Sequence, residues 1–134
     1  MENIFSLKGK LALITGGATG IGYSIAGQFL KAGATVVISG RSEDKLKDAV
    51  GSLGKDCSYI VNDVTDRTTT HLMVQQIEEK TGPIGILVNN AGAHINKPVL
   101  EVSDDEFESV ILPDLLFPLY FFMRPFSWCF RWYK

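Results

Sequence analysis

The stretch Thr15–Gly22, with the sequence T-G-G-A-T-G-I-G, has the composition of a phosphate-binding turn. It follows the apolar run Leu11–Ile14 and leads into residues 21–31, where apolar residues recur at helical spacing. The first turn of a helix has N–H groups without intrahelical partners, and the helix dipole adds positive charge there. A pyrophosphate satisfies both, and glycines keep side chains out of its way. We therefore predict a phosphate site whose members are Gly16, Thr19, Gly20, Ile21 and Gly22.

The rest of the chain alternates buried strands with amphipathic helices. Strands are predicted at 11–14, 35–39, 57–61 and 84–88, and helices at 21–31, 43–53, 67–80 and from Ser103 onwards. Such alternation gives right-handed βαβ units and a parallel sheet. The sequence predicts an α/β, Rossmann-like doubly wound sheet with strand order 3-2-1-4 and flanking helices.

Helix ends carry their own signals. Ser42 and Asp66 are predicted as N-caps, and Ser103 with Glu106 has the spacing of a capping box.

Polar residues follow three further strands, at the edge where the glycine-rich turn is expected. Arg41 and Ser42 come after the second strand, Asp63-Val64 after the third, and Asn89–Gly92 after the fourth. Each has a simpler interpretation: Arg41 as an exposed cation, Asp63 as a helix-entry acid, and N-N-A-G as a polar turn.

Taken together, T-G-x-x-x-G-I-G, Asp63-Val64 and N-N-A-G resemble the short-chain dehydrogenase/reductase family over residues 5–116. The resemblance implies that Asp63 receives an adenine amino group and that Asn89, the first Asn, steadies the sheet. It implies that the small residues Ala91 and Gly92 let the cofactor ribose approach. The implied reaction is hydride transfer between a nicotinamide dinucleotide and a carbonyl or secondary alcohol. Family members are usually homo-oligomers.

The end of the second strand, Ser39–Ser42, bears on the choice of cofactor. An acid there binds the ribose 2′-hydroxyl of NAD, whereas a basic residue accommodates the 2′-phosphate of NADP. The place of the acid falls on Gly40, and Arg41 follows with a fork-shaped guanidinium suited to phosphate. Against this, Thr19 stands where many NADP-preferring members have a second basic residue. The sequence favours NADP over NAD.

The catalytic part of the family pattern has no counterpart in these residues. The family uses Ser with Tyr-x-x-x-Lys, but Lys follows none of the four tyrosines at this spacing. Asp114 occupies the approximate place of a catalytic Asn. We therefore predict no catalytic residue and interpret the chain as the N-terminal half of a family member, about twice as long. Gluconate-type sugar acids and 3-oxoacyl groups are the suggested substrates. The alternatives are a nucleotide-binding module without chemistry and a fragment that depends on a partner.

Composition separates residues 1–114, the predicted nucleotide-binding domain, from an atypical tail at 115–134. All 15 acidic residues precede residue 115, while most aromatic residues follow it. A change of reading frame is favoured over a genuine variant as the origin of the tail.

The formal net charge of −2 gives no excess of basic residues of the kind that binds nucleic acid. Prolines and Arg124 interrupt the apolar run of the tail, so no uninterrupted part of it is long enough to span a bilayer. Cys57 and Cys129 lack metal or redox spacing, so the sequence predicts a cytoplasmic protein without a metal site.

Overall fold

A computed structural model describes residues 4–116, apart from the side chains of Arg67 and Leu116. Its strands are β1 (Leu11–Thr15), β2 (Thr35–Gly40), β3 (Cys57–Val61) and β4 (Ile86–Val88). Its helices are α1 (Gly20–Lys31), α2 (Glu43–Leu53), α3 (Arg67–Thr81) and α4 (Asp104–Ile111). A short 3₁₀ turn at Val99–Glu101 precedes α4, and a π-helical turn at Leu112–Leu116 follows it.

The four strands form one parallel sheet in the order β3-β2-β1-β4. Both the Rossmann-like fold class and the strand order predicted from the sequence are thereby confirmed. All five residues of β1 are buried, as expected of a central parallel strand. The glycine-rich turn therefore leaves the sheet from its interior, between the ends of β2 and β4.

One face of the sheet forms the main core with the first two helices. Alternate residues of β1 and β2 pack there with Ala26 of α1 and with Leu46 and Ala49 of α2. The buried stripe of α1 runs through Gly22 and Ala26, whereas Ile21 is 74% exposed. Ile21 thus shares the helical spacing of the apolar residues but does not lie on the core face, because it is one residue around the helix from that stripe.

The helix caps divide into two kinds. Asp66 accepts a hydrogen bond from the Thr68 amide, and Ser103 with Glu106 forms a complete capping box, so both predictions are confirmed. Ser42 precedes α2 as predicted, but its side chain makes no capping hydrogen bond. The fourth strand is shorter than predicted. Its ladder still begins early, since the Gly85 amide donates to the Leu11 carbonyl.

By compactness the chain divides into two units, Met1–Ala91 and Gly92–Lys134. In the second unit, Lys97 pairs with Glu106, the acid of the capping box. The predicted change of character at residue 115 stays a prediction, because residues 117–134 lie outside the described part of the chain. No helix between residues 4 and 116 is long and apolar enough to cross a membrane.

Candidate functional site

The carboxyl ends of the four parallel strands lie along one edge of the sheet, here called the carboxyl edge. Gly16–Thr19 follows β1 at this edge, and Arg41 follows β2. Asn62 and Asp63 follow β3, and Asn89–Ala91 follows β4. The structure therefore brings the predicted members of the first unit to a common edge, as the parallel topology requires. Gly92 belongs to the second unit.

Two glycines of the turn have left-handed backbone angles, with φ of 65° at Gly16 and 57° at Gly20. Gly22 is required for a different reason. A Cβ added there would lie 2.5 Å from both the Gly16 carbonyl oxygen and the side-chain nitrogen Nδ2 of Asn90. The turn is therefore folded back against the start of α1 and the end of β4, in a space that only glycine fits.

Thr15 is the central polar residue of this edge, and sequence reasoning missed it. Its fully buried hydroxyl accepts hydrogen bonds from the backbone amides of Asn90 and Ala91, each at 3.0 Å. The same hydroxyl donates to the Val88 carbonyl at 3.4 Å. One side chain thus fixes the path of the chain as it leaves β4. A single threonine at the end of an apolar run carries no distinctive sequence signal for such a role.

Asn90, rather than Asn89, ties the end of β4 to the glycine-rich turn. Its side-chain amide donates to the Thr15 and Gly16 carbonyls, both at 3.1 Å. Asn89 is exposed, so the sheet-steadying role expected for the first Asn belongs to the second. Asn90 is half-buried, and its side chain reaches the carbonyls at the end of β1.

The start of α1 is left open to an anion. Thr19 is the N-cap and has an extended backbone, but its side chain makes no capping bond, and the first turn contains no acid. The first amide to bond back to Thr19 is that of Tyr23, at 3.3 Å. By contrast, α3 and α4 are capped by their own side chains. The N–H groups of the first turn of α1 therefore need an external acceptor.

Asp63 lies in the turn that precedes α3. One carboxylate oxygen, Oδ1, accepts hydrogen bonds from the Thr65 amide at 2.9 Å and the Thr65 hydroxyl at 2.7 Å. The N-cap of α3 is Asp66. The adenine contact expected of Asp63 stays a prediction, and the half-buried Val64 follows it in the same turn.

Two buried polar atoms near the carboxyl edge lack hydrogen-bond partners among the described residues. They are the Ser39 hydroxyl oxygen, near the end of β2, and the Asn62 side-chain oxygen, directly after β3. The Asn62 amide nitrogen does have a partner, the Thr69 hydroxyl at 3.1 Å. Buried polar groups are normally satisfied, so a polar ligand or an ordered water is expected to satisfy these two atoms at the carboxyl edge.

In the second unit, a Cβ added to Gly92 would collide with the Asp114 carboxylate. Gly92 therefore lets Asp114, in the π-helical turn, approach the backbone closely. Among the described residues there is no group of three or more His, Cys, Asp or Glu side chains that could hold a metal ion.

Comparison with known proteins identifies this arrangement. The model of the short chain dehydrogenase family matches residues 10–116. A 2-dehydro-3-deoxy-D-gluconate 5-dehydrogenase from Formosa agariphila is 37% identical over 120 residues, which cover 87% of this chain and 46% of that protein. An NADP-dependent (R)-specific alcohol dehydrogenase from Lentilactobacillus kefiri is 36% identical over 111 residues, covering 81% and 44%.

The solved structures agree. The Pseudomonas aeruginosa RhlG/NADP active-site complex superposes with a TM-score of 0.83 at 32% identity, covering 90% of this chain and 48% of that one. The chain therefore spans a little under half the length of the relatives that it matches.

Proposed function

The chain belongs to the short-chain dehydrogenase family, and on that premise we propose that it binds NADP(H) at the carboxyl edge of its sheet. The observation that carries the proposal is the uncapped, acid-free start of α1 behind a turn that only glycine fits. When bound, the cofactor supplies or accepts a hydride. The proposed reaction of the family member is hydride transfer between NADP(H) and a carbonyl or secondary alcohol.

Each proposed binding residue has a distinct part. The turn from Gly16 to Gly22, with Thr19, Gly20 and Ile21, holds the pyrophosphate through backbone N–H groups. Asp63 and Val64 bound the adenine site, and Asp63 keeps its second carboxylate oxygen for it, since the bonds to Thr65 use Oδ1. Asn89, Ala91 and Gly92 lie along the ribose.

Arg41 and Ser42 are proposed to bind the 2′-phosphate and so to favour NADP over NAD. Both side chains are exposed, and the Arg41 guanidinium forms no ion pair or hydrogen bond with any residue that the structure describes. Gly40 presents no carboxylate to a 2′-hydroxyl. A guanidinium that is not paired with a carboxylate is available to bind a phosphate dianion.

Equilibrium titration of the 134-residue chain with NADPH and NADH tests this assignment. We expect NADPH to bind more tightly, by a margin that shrinks as salt is added. Arg41→Gln should weaken NADPH binding about tenfold, the low end for a charge-assisted hydrogen bond, and leave NADH unchanged. Lys31→Gln removes the same charge at the far end of α1, about 16 Å from its start, and serves as the control. Equal affinity for the two cofactors in the unmutated chain would refute the choice of NADP.

We further propose that these 134 residues bind the cofactor but do not catalyse hydride transfer at a useful rate. They contain no Tyr-x-x-x-Lys, and general acid–base help alone is worth about 10²–10⁴-fold in rate.

A sugar acid is the favoured substrate of the family member, by analogy with the gluconate relative, and a 3-oxoacyl group is the second candidate. The proposal includes a cytoplasmic location and assembly as a homo-oligomer.

Loss of NADPH absorbance with a panel of ketones and keto acids tests the absence of turnover. Turnover at the rate of an ordinary reductase, abolished by Gly20→Asp, would show that the catalytic residues have been misplaced. A nucleotide-binding module without chemistry is the second candidate. It is favoured by the same combination of an intact turn and a missing Tyr-x-x-x-Lys.

A further inference from the structure

The start of α2 brings acidic side chains close to Arg41, the residue proposed to bind the 2′-phosphate. Glu43 and Asp44 form its first turn, where negative charge is stabilised by the helix dipole. Glu43 is only two residues from Arg41, a distance of at most about 7 Å along the chain. A free carboxylate so close would both repel a phosphate dianion and compete with it for the guanidinium.

Glu43 is nevertheless engaged elsewhere. Its Oε1 accepts a hydrogen bond from the Tyr59 hydroxyl at 3.1 Å and lies 3.1 Å from the Lys47 ammonium nitrogen. Lys47 is one helical turn further along α2, whereas Tyr59 comes from β3, where it pairs in register with Ile38 of β2. The hydrogen bonds from Lys47 and Tyr59 lower the pKa of Glu43, so its carboxylate is ionised and held by two donors.

We propose that Lys47 and Tyr59 are positioning residues for cofactor selectivity. By holding the Glu43 carboxylate they keep it from pairing with Arg41, which leaves the guanidinium available to the 2′-phosphate of NADP(H). The inference rests on the proposed role of Arg41 and extends it to two residues that have no place in the glycine-rich, Asp-Val or N-N-A-G motifs. It also explains how a chain with two acids beside its phosphate ligand can favour the more negative cofactor.

Lys47→Met is the decisive variant, and Lys45→Met is its matched control. Lys45 is an exposed lysine of the same helix, and no ion pair joins it to another described residue. Exposed ion pairs contribute little, so we expect Lys47→Met to weaken NADPH binding by at most about fivefold and to leave NADH binding unchanged. Tyr59→Phe removes one donor without changing charge and should have a smaller effect in the same direction.

Glu43→Gln distinguishes the release of the Glu43 carboxylate from a general loss of positive charge. If Glu43 is the competitor, adding Glu43→Gln to Lys47→Met should restore the NADPH affinity, although the double variant still lacks the lysine. Melting temperatures of the Glu43, Lys45 and Lys47 variants should stay together, because these side chains are exposed. Tyr59→Phe keeps the half-buried ring that packs against the core.

The outcomes distinguish the two proposals. A wild-type chain that does not prefer NADPH overturns both. A wild-type preference for NADPH that Lys47→Met and Lys45→Met reduce equally overturns the positioning role alone, as does a double variant that stays as weak as Lys47→Met. Selective weakening by Lys47→Met with rescue by Glu43→Gln supports it.

Discussion

The Thr15 hydroxyl allows the sharpest test of how the carboxyl edge is held together. Thr15→Val keeps the shape of the side chain and its β-branching but removes an oxygen that accepts two backbone hydrogen bonds and donates a third. The Asn90 and Ala91 amides then lose their acceptor. The substitution should therefore act on the end of β4 without disturbing the packing of β1.

The magnitude follows from the number of groups left unpaired. An unsatisfied buried donor costs about 1–3 kcal/mol, and two are created here. Both amides are only partly buried, and the new methyl group gains about 1 kcal/mol from burial. We expect a net destabilisation of about 2–4 kcal/mol. Thr15→Ser keeps the oxygen and deletes one methyl group, which should cost only about 1 kcal/mol.

Urea unfolding followed by circular dichroism measures both variants, with an unchanged m-value as the check that one transition is compared. Thr15→Val should be clearly less stable than Thr15→Ser, although it buries more apolar surface. The opposite order, or a Thr15→Val variant as stable as wild type, would show that the hydroxyl does not hold β4.

Two further predictions use residues with equally defined surroundings. Gly22→Ala should destabilise the fold by about 1–3 kcal/mol, because the new Cβ collides with Gly16 and Asn90. Gly27→Ala, whose Cβ would lie 3.7 Å from Leu53, should stabilise the fold by about 0.5–1 kcal/mol. The two variants should therefore shift the urea midpoint in opposite directions. Burial raises the pKa of Cys57 from 9.0 to about 11, so the unfolded thiol ionises first and the free energy of unfolding should fall as pH rises from 9 towards 11. Cys57→Ala should show less of this fall in urea midpoints at pH 7, 9 and 10, and an identical fall would exclude the thiol as its source.

The elements of the fold were predictable because they follow from local pattern. Alternating apolar strands and amphipathic helices gave the parallel order, and Asp66 and Ser103 were placed correctly as caps because their partners lie within three residues. Local pattern failed where tertiary surroundings decide. Ile21 has the right spacing for the core but lies beside the buried stripe, and Ser42 has the right type for a cap but makes no such bond.

The site shows the same division. The glycines were predictable because the left-handed backbone of Gly16 and Gly20 favours glycine and a Cβ at Gly22 would collide with its neighbours. The bonds that join Thr15 to Asn90 and Ala91 were not, because they connect residues about 75 positions apart whose types are common in any turn. Choosing Asn90 over Asn89 required knowing which of the two side chains is half-buried against the end of β1, and the sequence contains both residues.

The bonds around Thr15 couple the glycine-rich turn to β4, the last strand of the described sheet. β4 pairs through only three residues and lies at the edge of the described sheet, so it belongs to the part of the fold that opens at the lowest free energy. Its opening would release Asn90 and hence the carbonyls of Thr15 and Gly16 that shape the turn. A ligand that binds only the closed turn therefore also stabilises β4 against opening. Its binding should slow hydrogen exchange of the β4 amides.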